Sequence, residues 1–179
     1  MDDSSYLKGL IEEVKKHYSV DSDRVYLIGH SNGGFMSHRM AVDHPDTIAA
    51  IASLAGAAPN ELSGPKPERP VNILQIHGTD DSTIRYEGGE IDTITYPGAV
   101  ETVEKWAAYN GGSVESKSLR KKLDLERRIN GKETTITRYE NGSVELWMIH
   151  DGKHVPALSK TFSETVIKWL MAHPKASGK

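Results

Sequence analysis

One serine in this sequence is placed to attack a carbonyl. Gly29-His30-Ser31-Asn32-Gly33-Gly34 follows the apolar run Val25-Tyr26-Leu27-Ile28 and precedes a segment with helical spacing. This is G-x-S-x-G between strand and helix, the setting of a nucleophile elbow. Turning the chain so sharply forces the serine into a strained backbone conformation, and side chains two residues to either side are expected to collide, hence Gly29 and Gly33. The hydroxyl then stands clear at a helix N-terminus, where the Asn32 amide can receive an oxyanion. His30, beside the nucleophile, is placed to meet substrate.

A serine hydroxyl becomes a nucleophile when a histidine takes its proton, and the imidazole needs a carboxylate to hold its tautomer. Two further strand ends supply such groups. His77-Gly78-Thr79-Asp80-Asp81 follows the apolar run 71–76, and both Asp80 and Asp81 qualify as the acid by position. His77 sits at the strand end and is read as organising the turn. Ile149-His150-Asp151-Gly152-Lys153-His154 follows the run 144–149. His154 lies out in the loop, between Gly152 and Pro156, where it can reach over the sheet. His150 is still near the strand and reads as structural. The chain order Ser, Asp, His is that of an α/β-hydrolase and differs from the orders in chymotrypsin and subtilisin. Tyr86, just beyond Asp81, is a candidate to line a substrate pocket.

The elements that must carry these residues can be read from periodicity. Helices are expected over residues 6–18, with Asp3 or Ser4 as N-cap, over 31–43, from Pro97 to about 110, and over 160–172. On the third, Val100, Val103, Trp106 and Ala107 form the inner face; on the last, Phe162, Val166, Trp169 and Leu170 do. Short apolar strands are expected at 25–28, 48–54, 71–76 and 144–149, a more alternating one at 134–139, and a hairpin turn at Asn141-Gly142. Buried strands alternating with helices imply a mostly parallel sheet covered on both faces: a single α/β domain, built as a three-layer sandwich. Function then gathers at the carboxyl ends of the strands. The proline-rich connection 57–70 is too short for a helical cap, so no substantial lid is expected over Ser31.

The motifs together resemble the polyhydroxybutyrate depolymerase and feruloyl or acetyl-xylan esterase group of α/β-hydrolases. The resemblance rests on Asp23 through Gly34, on His77-Gly78-Thr79-Asp80-Asp81, on the Trp106 helix with Asn110-Gly111, and on Val144-Glu145-Leu146-Trp147 leading to Gly152-Lys153-His154. It implies that Asp81, last residue of the H-G-T-x-D segment, is the catalytic acid and His154, of G-x-H, the base. It implies ester hydrolysis by a Ser31–His154–Asp81 triad, with small-molecule or polymer-linked esters as substrates and no cofactor or metal. Two departures stand out: Val155-Pro156 follows the histidine where the group carries Trp-Pro, and there are no cysteines. Both weigh against depolymerase-like polymer binding. The group also carries an earlier half-sheet whose His-Gly loop gives a second oxyanion amide, and the 179 residues read as starting after it. The expectation is therefore of a partial or minimal core, whose activity is weak or depends on a part supplied elsewhere, and whose exposed sheet edge favours a homo-oligomer. Two alternatives stay open: a serine peptidase or acyltransferase of the same fold, which would use the same triad, and a catalytically weak or inactive fragment of a longer hydrolase, a remnant or binding domain.

Composition agrees with a globular domain. Hydrophobic residues make up 37%, charged residues 26%, and the net charge is −3, which calls for no nucleic acid. The basic residues Arg120, Lys121, Lys122, Arg127 and Arg128 are interrupted by Asp124 and Glu126 and read as a solvated face. No apolar run reaches the ~18 residues of a membrane span. The opening Met1-Asp2-Asp3-Ser4-Ser5 does not read as a secretory leader, and no compartment is assigned.

Overall fold

The structure is a computed structural model and describes residues 2–63, 68–139 and 143–176. Its centre is a six-stranded sheet in the order β1-β2-β3-β8-β7-β6. The strands are β1 (Tyr26–His30), β2 (Ala50–Leu54), β3 (Asn72–Gly78), β6 (Ser116–Leu123), β7 (Thr134–Tyr139) and β8 (Val144–Ile149). The pairs β1–β2, β2–β3 and β3–β8 are parallel, while β8–β7 and β7–β6 are antiparallel. The parallel half carries the three strand ends that the sequence singles out. Register lines them up: His30 faces Leu54, and Gly78 faces Ile149.

Side-chain alternation explains the layers, since successive residues of a strand point to opposite faces. Ile51, Ile73, Val144 and Leu146 pack with Met40, Val103 and Trp106 on one face. Ala50, Ala52, Leu74, Ile76, Trp147 and Ile149 pack with Phe162, Val166, Trp169 and Leu170 on the other. The first face is covered by α1 (Asp3–His17), α2 (Asn32–Asp43) and α3 (Ala99–Tyr109), the second by α4 (Phe162–Met171). This is the expected three-layer arrangement. Trp106, Trp147 and Trp169 are all buried core residues.

Several local expectations change. The first helix is capped by Asp2, whose side chain accepts from the Ser5 amide, rather than by Asp3 or Ser4. Only Leu7 and Ile11 of its apolar residues pack inward, leaving Tyr6, Leu10 and Val14 exposed. Ile28, on the edge strand β1, is exposed as well. Pro97 does not open α3: it ends a strand, and Gly98 precedes the helix. Val100 faces solvent. The turn expected at Asn141-Gly142 and part of the 57–70 connection lie outside the described residues.

Two features are absent from the sequence reading. A separate antiparallel hairpin, β4 (Gly88–Ile91) and β5 (Ile94–Pro97), turns through Asp92 and Thr93, both at positive φ. That backbone is usually signalled by Asn-Gly, so Asp-Thr hides it. β6 is the basic segment, with all but Leu119 and Leu123 exposed and a register shift between Ser118 and Lys122. Charge and a bulge on an edge strand guard it against pairing with other chains, at the cost of the apolar pattern that reveals strands. Among the described residues no helix is long and apolar enough to cross a membrane.

Candidate active site

Ser31 sits between β1 and α2 at φ 54 and ψ −119, a region L-residues rarely occupy. Holding a non-glycine residue there costs roughly 1–3 kcal/mol. The Ser31 amide bonds the Leu54 carbonyl at 2.8 Å and the Ser31 carbonyl accepts from Phe35 at 3.0 Å, so both sides of the turn are tied. The steric argument for the flanking glycines holds at Gly29, where a Cβ would lie 2.0 Å from the Gly33 carbonyl oxygen. It fails at Gly33, whose Cβ would meet nothing; the second tight position is Gly34, packed against Ser53 and Gly56. The elbow needs room where the helix crosses β2, one residue later than the motif suggests.

Asp81 and His154 converge on this serine from the other two strand ends. His154 Nε2 lies 3.0 Å from Ser31 Oγ, and His154 Nδ1 lies 2.9 Å from Asp81 Oδ2. An ionised carboxylate only accepts, so Nδ1 carries the proton and Nε2 presents its lone pair to the hydroxyl. Asp81 is buried, and Asp80 is exposed, which separates the two acids that position left open. Burial alone would raise the Asp81 pKa. Hydrogen bonds from His77 and His154, and from the Ile84 and Thr83 amides, outweigh it and hold the group at about 2. Asp81 Oδ1 takes both amides at 2.9 Å. His150 is elsewhere, 3.2 Å from Thr135 Oγ1.

The loops that carry Asp81 and His154 are locked to each other, largely by backbone. Asp80 N donates to the Gly152 carbonyl at 2.9 Å, Thr79 N to the Ile149 carbonyl at 3.0 Å, and Asp151 N to Thr79 Oγ1 at 2.8 Å. Asn32 opens α2, and amides in the first turn of a helix have no intrahelical acceptor, so its N–H is available beside Ser31.

The two residues expected to meet substrate both have partners within the protein. His30 is exposed, but its Nε2 lies 2.8 Å from the His154 carbonyl oxygen, and the two rings are 4.9 Å apart. It binds the loop that carries His154. Tyr86 is mostly buried, edge-on against His77, with burial pushing its hydroxyl up to about 12, and it lines a cavity of about 400 Å³ beside Asp81. The cavity next to the elbow, about 510 Å³, is instead lined by Asn32, Phe35, Ala58, Ile91, Ile94 and Tyr96. Phe35 meets Tyr96 edge-to-face at 5.9 Å. The hairpin forms one wall, pinned where Asn60 Nδ2 donates to the Thr95 carbonyl at 2.7 Å. Besides Asn32, only Phe35 carries a visible signal in the sequence, as an aromatic four residues after the serine on its helix.

Comparison with known proteins supplies the family and the fold. Residues 1–116 match the phospholipase/carboxylesterase family. The putative esterase NocK of Nocardia uniformis subsp. tsuyamanensis is 36% identical over 86 residues, covering 48% of this chain and 25% of that protein. Feruloyl esterase B of Piromyces equi is 35% identical over 124 residues, covering 65% of this chain and 23% of its own. The chain thus spans a quarter or less of these relatives' length. Among solved structures, the acetyl xylan esterase from Aspergillus awamori superposes with a TM-score of 0.65 at 15% identity, covering 94% of this chain and 66% of that one. The fold is that of the α/β-hydrolases, and the chain belongs to the phospholipase/carboxylesterase family.

Proposed function

We propose that this chain is a serine carboxylic-ester hydrolase that works through an acyl-enzyme, on short-chain or aryl and carbohydrate esters. The observation that carries the reading is the unbroken hydrogen-bonded series Ser31–His154–Asp81, at 3.0 and 2.9 Å, on a strained elbow. His154 Nε2 takes the Ser31 proton as Oγ bonds to the ester carbonyl carbon. The Asn32 amide holds the oxyanion, and Asp81 stabilises the imidazolium. Collapse of the tetrahedral adduct breaks the bond to the alcohol, which leaves with the proton from His154. Water, deprotonated by the same nitrogen, then cleaves the acyl-enzyme and releases the acid and free Ser31.

The substrate class is supported by the Phe35–Tyr96 cavity, which offers an aromatic wall to a flat acyl or aryl group. The names of the feruloyl and acetylxylan esterases among its relatives point the same way. The test is hydrolysis of p-nitrophenyl acetate and butyrate by the 179-residue chain and its Ser31→Ala variant. Activity that is lost in the variant is expected; activity that survives would refute the reading. Since losing one oxyanion donor typically costs on the order of 10²–10³ in rate, the absolute kcat also reports whether Asn32 acts alone.

A further inference from the structure

Behind Asp81 lies a line of buried polar side chains that ends on helix α3. Trp106 Nε1 lies 2.9 Å from His38 Nδ1. His38 Nε2 lies 3.0 Å from Gln75 Oε1. Gln75 Nε2 lies 2.7 Å from the Gly56 carbonyl oxygen and 3.2 Å from His77 Nδ1. His77 Nε2 lies 2.8 Å from the Ile84 carbonyl oxygen and 3.4 Å from Asp81 Oδ2. None of these four side chains is more than 1% exposed.

The chemistry of the two ends fixes every proton between them. Indole Nε1–H can only donate, so His38 Nδ1 is the acceptor and its Nε2–H donates to Gln75 Oε1. A backbone carbonyl can only accept, so the amide of Gln75 turns its NH₂ to Gly56 and to His77 Nδ1. The Ile84 carbonyl and the Asp81 carboxylate can only accept, so His77 carries its proton on Nε2. Both ends therefore give the same direction, which two independent anchors need not have done. Burial lowers the His38 pKa to about 4, in keeping with a neutral ring.

We infer that Trp106, His38, Gln75 and His77 form a positioning network that locks His77 in its Nε2–H tautomer and thereby holds Asp81 in place for His154. The inference rests on the proposed role of Asp81 as the triad acid. A ring protonated instead at Nδ1 would aim a lone pair at the Asp81 carboxylate and the Ile84 carbonyl. Repulsion would turn the carboxylate off His154. Gln75, which touches neither Asp81 nor the serine, thus acts on the reaction by choosing the tautomer next door. In a low-dielectric interior such a series is strong only when every member is satisfied.

The experiment has two arms. Imidazole ¹⁵N spectra of the unmodified chain near neutral pH are expected to show His38 and His77 protonated at Nε2 alone; a proton on Nδ1 of either ring would overturn the inference. In the kinetic arm, Gln75→Met is assayed as kcat per serine labelled by a fluorophosphonate, so misfolded molecules are not counted. We expect kcat to fall about tenfold, the rate equivalent of one hydrogen bond, with KM unchanged. His77→Gln, whose amide can still donate at the Nε2 position, is expected to retain more activity than His77→Leu. Equal losses in those two variants, or an unchanged kcat per labelled site in Gln75→Met, would refute the network. If Gln75→Met does not fold, the spectra of the unmodified chain decide. Loss of the esterase reading itself is seen separately, as activity surviving in Ser31→Ala.

Discussion

His30 donates a hydrogen bond from Nε2 to the backbone carbonyl of His154 at 2.8 Å, joining the neighbour of Ser31 to a residue 124 positions later. A carbonyl can only accept, so the His30 proton is on Nε2. The loop carrying His154 is thereby fastened at both ends, to His30 in front and to Thr79 and Asp80 behind.

His30→Ala should therefore lower kcat rather than raise KM. The expected loss is about tenfold, since a net hydrogen bond is worth roughly 0.5–1.5 kcal/mol and misplacement of the base is felt directly in rate. His30→Gln, which can still reach the carbonyl, should restore much of it. Steady-state kinetics on p-nitrophenyl butyrate separate this from substrate binding by His30, which would appear in KM.

Asp81 links the site to acid stability. Its pKa is about 2 in the folded chain against an ordinary 3.8, so the folded state favours the carboxylate. The stabilisation is present above pH ~4 and is lost as pH falls through that window toward 2. At about 1.4 kcal/mol per unit, it amounts to roughly 2 kcal/mol. Urea unfolding of the parent chain and Asp81→Asn should differ at pH 6 and converge toward pH 2; a gap independent of pH would contradict the assignment.

Gly78 and Gly152 touch through their backbones, where the acid and base strands end side by side. A Cβ on Gly78 would lie 2.1 Å from the Gly152 carbonyl oxygen, an atom with no freedom to yield. Gly78→Ala should destabilise by about 1–3 kcal/mol, as overpacking does, and remove the activity by parting Asp81 from His154. Thermal denaturation and esterase assay together test this. Gly33→Ala, where the added carbon meets nothing, is the control and should unfold close to the parent temperature.

Phe35 should set acyl preference. Phe35→Ala enlarges the cavity and removes the edge-to-face partner of Tyr96. We expect kcat/KM for aryl-acyl esters such as methyl cinnamate to fall about 10–100-fold, the effect of losing 1–3 kcal/mol of apolar contact, with p-nitrophenyl acetate changing far less. Equal losses on both substrates would place the acyl group elsewhere.

What was legible in the sequence was what rests on local pattern. The buried strands announce themselves by apolar runs, the helices by 3.6-residue spacing, and the elbow by glycines around Ser31. His77-Gly78-Thr79-Asp80-Asp81 and Gly152-Lys153-His154 mark the other strand ends, so the parts of the site and their order could be read before any fold was drawn. β6 and the β4–β5 hairpin were not legible, because a basic edge strand and an Asp92-Thr93 turn carry neither apolar alternation nor the usual glycine.

Tertiary structure decided the rest, for a physical reason. Whether Asp80 or Asp81 is buried depends on which of them meets His77, His154 and the Thr83 and Ile84 amides. That Phe35 shares a cavity with Tyr96 depends on a hairpin that lies far beyond the elbow in the chain. The direction of every proton from Trp106 to Ser31 depends on donors and acceptors from five separate segments. Periodicity speaks only of a residue's own neighbours, whereas burial and hydrogen bonding are settled by whatever the fold brings within a few ångströms.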